Sequence, residues 1–329
     1  MAERCPKAMV HGPCGGVRPD GRCELAEHPC TFLDLAEPPP VEPVAGVALT
    51  AAPLVLTDLS VPPADPATLV RTAHRLLGSA DGLLVGDHQD RPDLAPHLLA
   101  RLMADAGARP WVTLACRERT RSALEAELDR LQADDLAVVV CVTGDGRRPE
   151  VRPAVPSVFD LDGTRLAGLA ARRGLRVAVP EAPAAPPLAL RPARLVRKQQ
   201  AGASVAVLNH TARPDQAAAF VSAARAAGLT IPVVASVAVY TDERSAGALA
   251  VLPGLALDPA AVAAVLSAAD PVEAGIATAV AEALALLDVD GVVGVNLSGL
   301  ASGAGTTTAA DIQAEVGTRI RAARPLGSG

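Results

Sequence analysis

Four of the six cysteines fall in the first thirty residues, CPKAMVHGPCGGVRPDGRCELAEHPC following MAER, at Cys5, Cys14, Cys23 and Cys30. Four thiolates can close a tetrahedral zinc site or hold an iron-sulfur cluster, and the Gly-Pro and Gly-Gly breaks let a short loop wrap an ion. The intervals of eight, eight and six intervening residues match no common zinc finger, so the signal is the clustering itself. Free thiols or disulfides are the competing reading, and His11 or His28 is an alternative for one ligand. A module this small has almost no apolar core, so metal binding would supply its folding energy.

The other residues suited to chemistry stand where short apolar runs end: Asp58, Asp87, His88, Arg117, Asp145, Glu181, Asn209 and Asn296. In parallel α/β folds the reacting groups come from strand ends and the loops that follow them. Any one Asp or Asn there also reads as the cap of the next helix. Taken together, polar endings on strands this apolar point to a site. Cys116 and Cys141 lie within the apolar runs and read as small core residues rather than nucleophiles.

Such endings need elements to carry them. RLVRKQQAGASVAVLN, from Arg194 to Asn209, shows the repeating unit: a helical half, an Ala-Gly-Ala close, then a Val-rich run ending on Asn209 and His210. The pattern predicts strands near Leu54 to Asp58, Gly82 to Gly86, Trp111 to Cys116 and Leu136 to Val142. Four more are expected near Arg176 to Val179, Ser204 to Asn209, Ile231 to Ser236 and Gly291 to Leu297, with Ala-rich amphipathic helices between them. Eight strand-helix repeats with no GxGxxG after any strand point to a (β/α)8 TIM barrel rather than an open doubly wound sheet. The chain therefore divides into a cysteine-rich metal-binding module at 1–36, a Pro-rich linker at 37–46 and a barrel at 47–325.

Composition excludes several classes of function. Half of the 329 residues are hydrophobic, enough for a large core, while only 2% are aromatic, so a flat ligand finds few rings to stack on. A net charge of -6 provides no basic stripe for nucleic acid. No apolar run approaches the ~20 residues of a membrane span, and the polar start from Met1 to His11 is unlike a signal peptide. The expected setting is soluble and cytoplasmic.

Several of these segments resemble the methylenetetrahydrofolate reductase family. CPKAMVHGPCGG with GRCEL and Cys30 is similar to the cysteine module at the C-terminal end of some members, or in their partner subunits; here it comes first. LTDLSVPP resembles the first-strand motif, CRERTR the third, CVTGD the fourth, LVRKQQAGA the helix before strand six, and GVVGVNLSG the last strand. The resemblance implies a (β/α)8 barrel that holds FAD at its strand ends, takes hydride from NADH or NADPH, and reduces 5,10-methylenetetrahydrofolate to 5-methyltetrahydrofolate. It also implies a cysteine module that contacts a second copy of the chain, as a homo-oligomer, or a partner subunit.

The resemblance assigns roles to individual residues. Arg197 and Lys198 match a basic pair along the flavin phosphates, and Asp145, after Thr143 and Gly144, matches a carboxylate near the flavin ring that also meets the pterin. Thr113, Thr143, Gly144 and Phe159 fall at flavin-contacting positions, with Thr113 where a His often stands and Thr143 in place of an Arg. Asn209 takes the place of a substrate-binding Gln, and Asn296 lies in the substrate-binding last-strand motif. The family's acidic Glu aligns with Leu59, so Asp58 is expected to replace it through a bulge at the strand end. Zinc, or an iron-sulfur cluster, is the expected occupant of the four cysteines.

Overall fold

The computed structural model describes residues 5, 6, 18, 20–23, 26–30, 40–42, 53–86, 93–135, 137–144, 158, 160–185, 188–252, 254–299 and 302–324. Eight strands close into one parallel barrel in chain order: β1 (Leu54–Asp58), β2 (Gly82–Val85), β3 (Pro110–Ala115), β4 (Val138–Val142), β5 (Arg176–Glu181), β6 (Val205–Leu208), β7 (Val233–Ala238) and β8 (Val292–Ser298). The helices are α1 (Pro66–Leu76), α2 (Pro96–Asp105), α3 (Arg121–Asp134), α4 (Gly163–Arg172), α5 (Arg191–Gln200), α6 (Pro214–Ala226), α7 (Glu243–Ala250), α8 (Pro259–Leu266), α9 (Pro271–Leu287) and α10 (Thr306–Ala323). This is the (β/α)8 TIM barrel that the strand count implies. Among the described residues no helix is long and apolar enough to cross a membrane.

Many helices start where a side chain satisfies the orphan amides of the first turn. Asp65, Asp258 and Asp270 cap α1, α8 and α9 just ahead of a proline, which suits a first helical position that has no N–H to satisfy. Asp162 caps α4, and Asp242 with Ser245 forms a reciprocal capping pair at α7.

Alternation along the strands separates two apolar layers. Leu54, Leu56, Trp111, Val138, Val140, Ala178, Val205, Val207 and Val234 fill the barrel interior, while Val55, Leu83, Val112, Val139, Val177, Ala206 and Val295 face the helices. Trp111 needs Gly82 beside it, because a Cβ there would stand 2.8 Å from the indole nitrogen. Gly294 is required more strictly: its Cβ would meet the Leu54 carbonyl oxygen at 2.3 Å.

Two expectations change. The seventh strand runs from Val233 to Ala238, about two residues later than its sequence signals, and a register shift against β8 falls at Val233/Val234. Ile231 is instead part of the turn into that strand, where its carbonyl accepts a hydrogen bond from Arg225 Nη1 at 2.8 Å. The bulge expected at the end of the first strand is absent: β1 pairs with β2 and β8 without a register shift.

Candidate functional site

Ordinary strand alternation brings Asp58 to the inner face, in line with Leu54 and Leu56. Leu59, which aligns with the family's Glu, turns outward into the helix-facing core and is 2% exposed. Barrel closure places β1 next to β8, so Asp58 meets Asn296, a residue 238 positions later. The Asn296 amide donates to Asp58 Oδ1 at 2.9 Å and to Ser298 Oγ at 3.0 Å. Its carbonyl oxygen is buried and has no hydrogen-bond partner among the described residues. Burial pushes the Asp58 carboxyl up to about 6, against the pull of its Asn296 and Ser298 hydrogen bonds. A half-buried acid that titrates close to neutrality can hold or hand over a proton.

Around the rest of the mouth, Thr113 faces inward from β3 one step above Trp111, and Ser236 of β7 stands beside Asn296 in register. Gly144 follows β4 at a φ of 83°, and an added Cβ would press on Ala115 and Arg117 at 3.2 Å each. Thr143 Oγ1 accepts the Gly163 amide at 2.9 Å, fixing the start of α4. Asn209 follows β6, with its amide on the Glu181 carbonyl at 2.8 Å.

Residues 254–258, ahead of α8, lie across the end of β6. The Ala256 amide donates to the His210 carbonyl at 3.1 Å, and His210 Nδ1 returns a bond to the Ala256 carbonyl at 2.5 Å. His210 Nε2 stands 2.6 Å from Glu282 Oε1. Gly254, at a φ of 76°, packs so closely that a Cβ would lie 2.6 Å from that of Ala182.

Glu181 turns away from the mouth into the layer behind β5. Its carboxylate accepts from Lys198 Nζ at 2.9 Å and from Arg191 Nη1 at 3.1 Å. Burial alone would raise its pKa, but Lys198, Arg194 and Arg191 together bring it down to about 2. Burial and the neighbouring arginines lower the Lys198 pKa despite Glu181. Lys198 also donates to the Pro180 carbonyl. The basic pair that the resemblance assigns to the flavin phosphates therefore fits them poorly: Lys198 is committed to Glu181, and Arg197, the next residue on α5, points about 100° away around the helix.

Of the remaining sequence candidates, Asp87, His88, Asp145, Phe159 and Cys14 lie outside the described residues. Arg117 is buried at the end of β3 beside Glu118. Cys116 and Cys141 are buried core thiols, and burial raises the pKa of both. Cys23 and Cys30 sit on a small hairpin, with their amides on the carbonyls of His28 and Gly21 at 2.9 and 2.8 Å, while Cys5 packs against the barrel's outer core. Among the described residues no group of three or more His, Cys, Asp or Glu side chains is arranged to hold a metal. Sequence reading missed Ser298 and the Glu181 pairing. The period-two alternation from Asn296 to Ser298 would have flagged the former.

The family described as "Methylene-tetrahydrofolate reductase C terminal" matches residues 1–38. No curated protein matches the chain in sequence. Among solved structures, an uncharacterized protein from Clostridium thermocellum that binds two copies of 5-methyl-5,6,7,8-tetrahydrofolic acid is similar at a TM-score of 0.57 and 10% identity, over 82% of this chain and 96% of that one. A tryptophan synthase chain from M. tuberculosis follows at a TM-score of 0.46 and 15% identity, over 82% of this chain and 94% of that one. At 10% identity the likeness to the Clostridium thermocellum protein is one of fold. Residues 1–38 are thus similar to the C-terminal family of methylenetetrahydrofolate reductases, and in this chain they precede a closed (β/α)8 barrel.

Proposed function

We propose that the barrel binds a tetrahydrofolate at its strand ends and acts on the folate's one-carbon unit, with Asp58 as the proton donor. The observation that carries this reading is the Asp58–Asn296–Ser298 cluster, an acid titrating near 6 on the inner face of the mouth. The N-terminal match and the folate-binding fold neighbour support it.

The reaction that the resemblance suggests is reduction of 5,10-methylenetetrahydrofolate to 5-methyltetrahydrofolate with NAD(P)H as the source of hydride. Opening the five-membered ring to its iminium form requires a proton on the departing nitrogen. Asp58 supplies that proton, and Asn296 holds the carboxyl in place through Oδ1. Thr113 and Asn209 are proposed to line the folate. A second reading is favoured by the Lys198–Glu181 pair: a non-redox folate-binding or one-carbon transfer protein on the same pocket.

Calorimetric titration with 5-methyltetrahydrofolate tests binding, and methylenetetrahydrofolate-dependent NAD(P)H oxidation tests reduction. Asp58→Asn is expected to retain folate binding and to lower turnover by ~100-fold or more. Absence of folate binding in the wild-type protein would overturn both readings, and binding without turnover leaves the second.

A further inference from the structure

We propose that the Glu181 carboxylate fills, from within the chain, the cationic place that the resemblance gives to a flavin diphosphate, so that this barrel takes no flavin. The inference does not depend on what the mouth binds. Lys198 Nζ and Arg191 Nη1 each hold one Glu181 oxygen, at 2.9 and 3.1 Å, with side-chain exposures of 11%, 10% and 1% for Lys198, Arg191 and Glu181. Arg191 is pinned further by its Nε on the Ala185 carbonyl at 2.9 Å. Lys198 directs a second N–H to the Pro180 carbonyl.

An incoming diphosphate would have to draw Lys198 out of this buried cluster while facing the Glu181 carboxylate. Removing one partner of a buried pair is costly, of the order of 100- to 5,000-fold in an equilibrium constant. Arg197 offers little compensation, because consecutive helix positions do not face one ligand. With 2% aromatic residues in the chain, ring stacking is a weak substitute for the lost phosphate contacts.

The test uses the full-length protein purified without added cofactor, titrated with FAD and with FMN by flavin fluorescence, alongside thermal melting of wild type, Lys198→Met, Glu181→Gln and the double variant. Wild type is expected to show no saturable flavin binding and no stabilisation by inorganic pyrophosphate. Each single variant should melt earlier than wild type, and the loss in the double variant should be smaller than the sum of the two single losses, because both substitutions remove the same Lys198–Glu181 contact. Stoichiometric FAD binding by wild type, or an unchanged melting temperature in Lys198→Met, would overturn the proposal. Should Lys198→Met fail to fold, the wild-type titration decides alone. Titration of the same wild-type sample with 5-methyltetrahydrofolate reports separately on the folate reading.

Discussion

A carboxyl placed where it prefers its proton leaves a pH signature that can be separated from any catalytic role. The folded pKa of Asp58 is about 6, above the unfolded value of ~3.9. The folded state thus holds the proton more tightly than the unfolded chain, and this contribution to stability is full below pH ~4 and lost as pH rises through 6. Asp58→Asn removes the titration, so the variant is expected to gain stability over wild type above pH ~6 by up to ~3 kcal/mol, less where water reaches the group. Below pH ~4 the two should converge. Chemical denaturation at several pH values measures this, and a pH-independent difference would mean that Asp58 is not the group being neutralised. The unpartnered Asn296 oxygen helps the variant, since rotating the Asn296 amide offers an acceptor to the side-chain N–H that the substitution introduces.

The strands are held in place by residues with no chemistry at all. Gly294 lies against the Leu54 carbonyl, and backbone oxygen in a closed sheet has nowhere to move. Gly294→Ala is therefore expected to cost ~3 kcal/mol or more, or to leave the chain insoluble. Gly86, at the end of β2, has nothing within 4 Å of an added Cβ, and Gly86→Ala should stay within ~0.5 kcal/mol of wild type. Urea unfolding of the two variants compares an interior position with a rim position, and equal effects would show that the barrel interior is not packed as described. The same β8 strand carries Asn296 and Ser298, so a shift at Gly294 would also disturb the partners of Asp58.

For the whole molecule, the cysteine module is expected to draw its stability from a different source than the barrel. The barrel has a continuous aliphatic layer beneath its helices. The module has four cysteines and, among its described residues, a bridge that pairs Arg22 with Pro29. We expect about one zinc, or one iron-sulfur cluster, per chain, because a segment without a core needs ligand bonds to fold. Elemental analysis of protein prepared without chelator checks this, and Cys23→Ser or Cys30→Ser should release the metal while the barrel's melting transition persists. Metal-free wild-type protein would refute it. Cys5 packs against the barrel's outer core and Val41 donates its amide to the Gln200 carbonyl at 2.9 Å, so loss of the metal should register first near these contacts.

Much of this organisation is written locally. The Val-rich runs, the helical repeats between them and the missing GxGxxG identify a barrel, because strand alternation and helix period are properties of neighbouring residues. Alternation also decides, without any bulge, that Asp58 shares a face with Leu54 and Leu56. What it cannot supply is the partner. Asn296 reaches Asp58 only because closing the sheet joins the first strand to the last, and Lys198 finds Glu181 only once α5 folds back on the strand end 17 residues earlier. A basic pair in LVRKQQAGA reads as free charge along the sequence; burial beside a carboxylate makes its lysine half of a structural ion pair. Local pattern determined the fold and the faces of its strands, whereas the neutralisation of Lys198 and the raised acid at Asp58 were decided by long-range contacts that bury polar groups together.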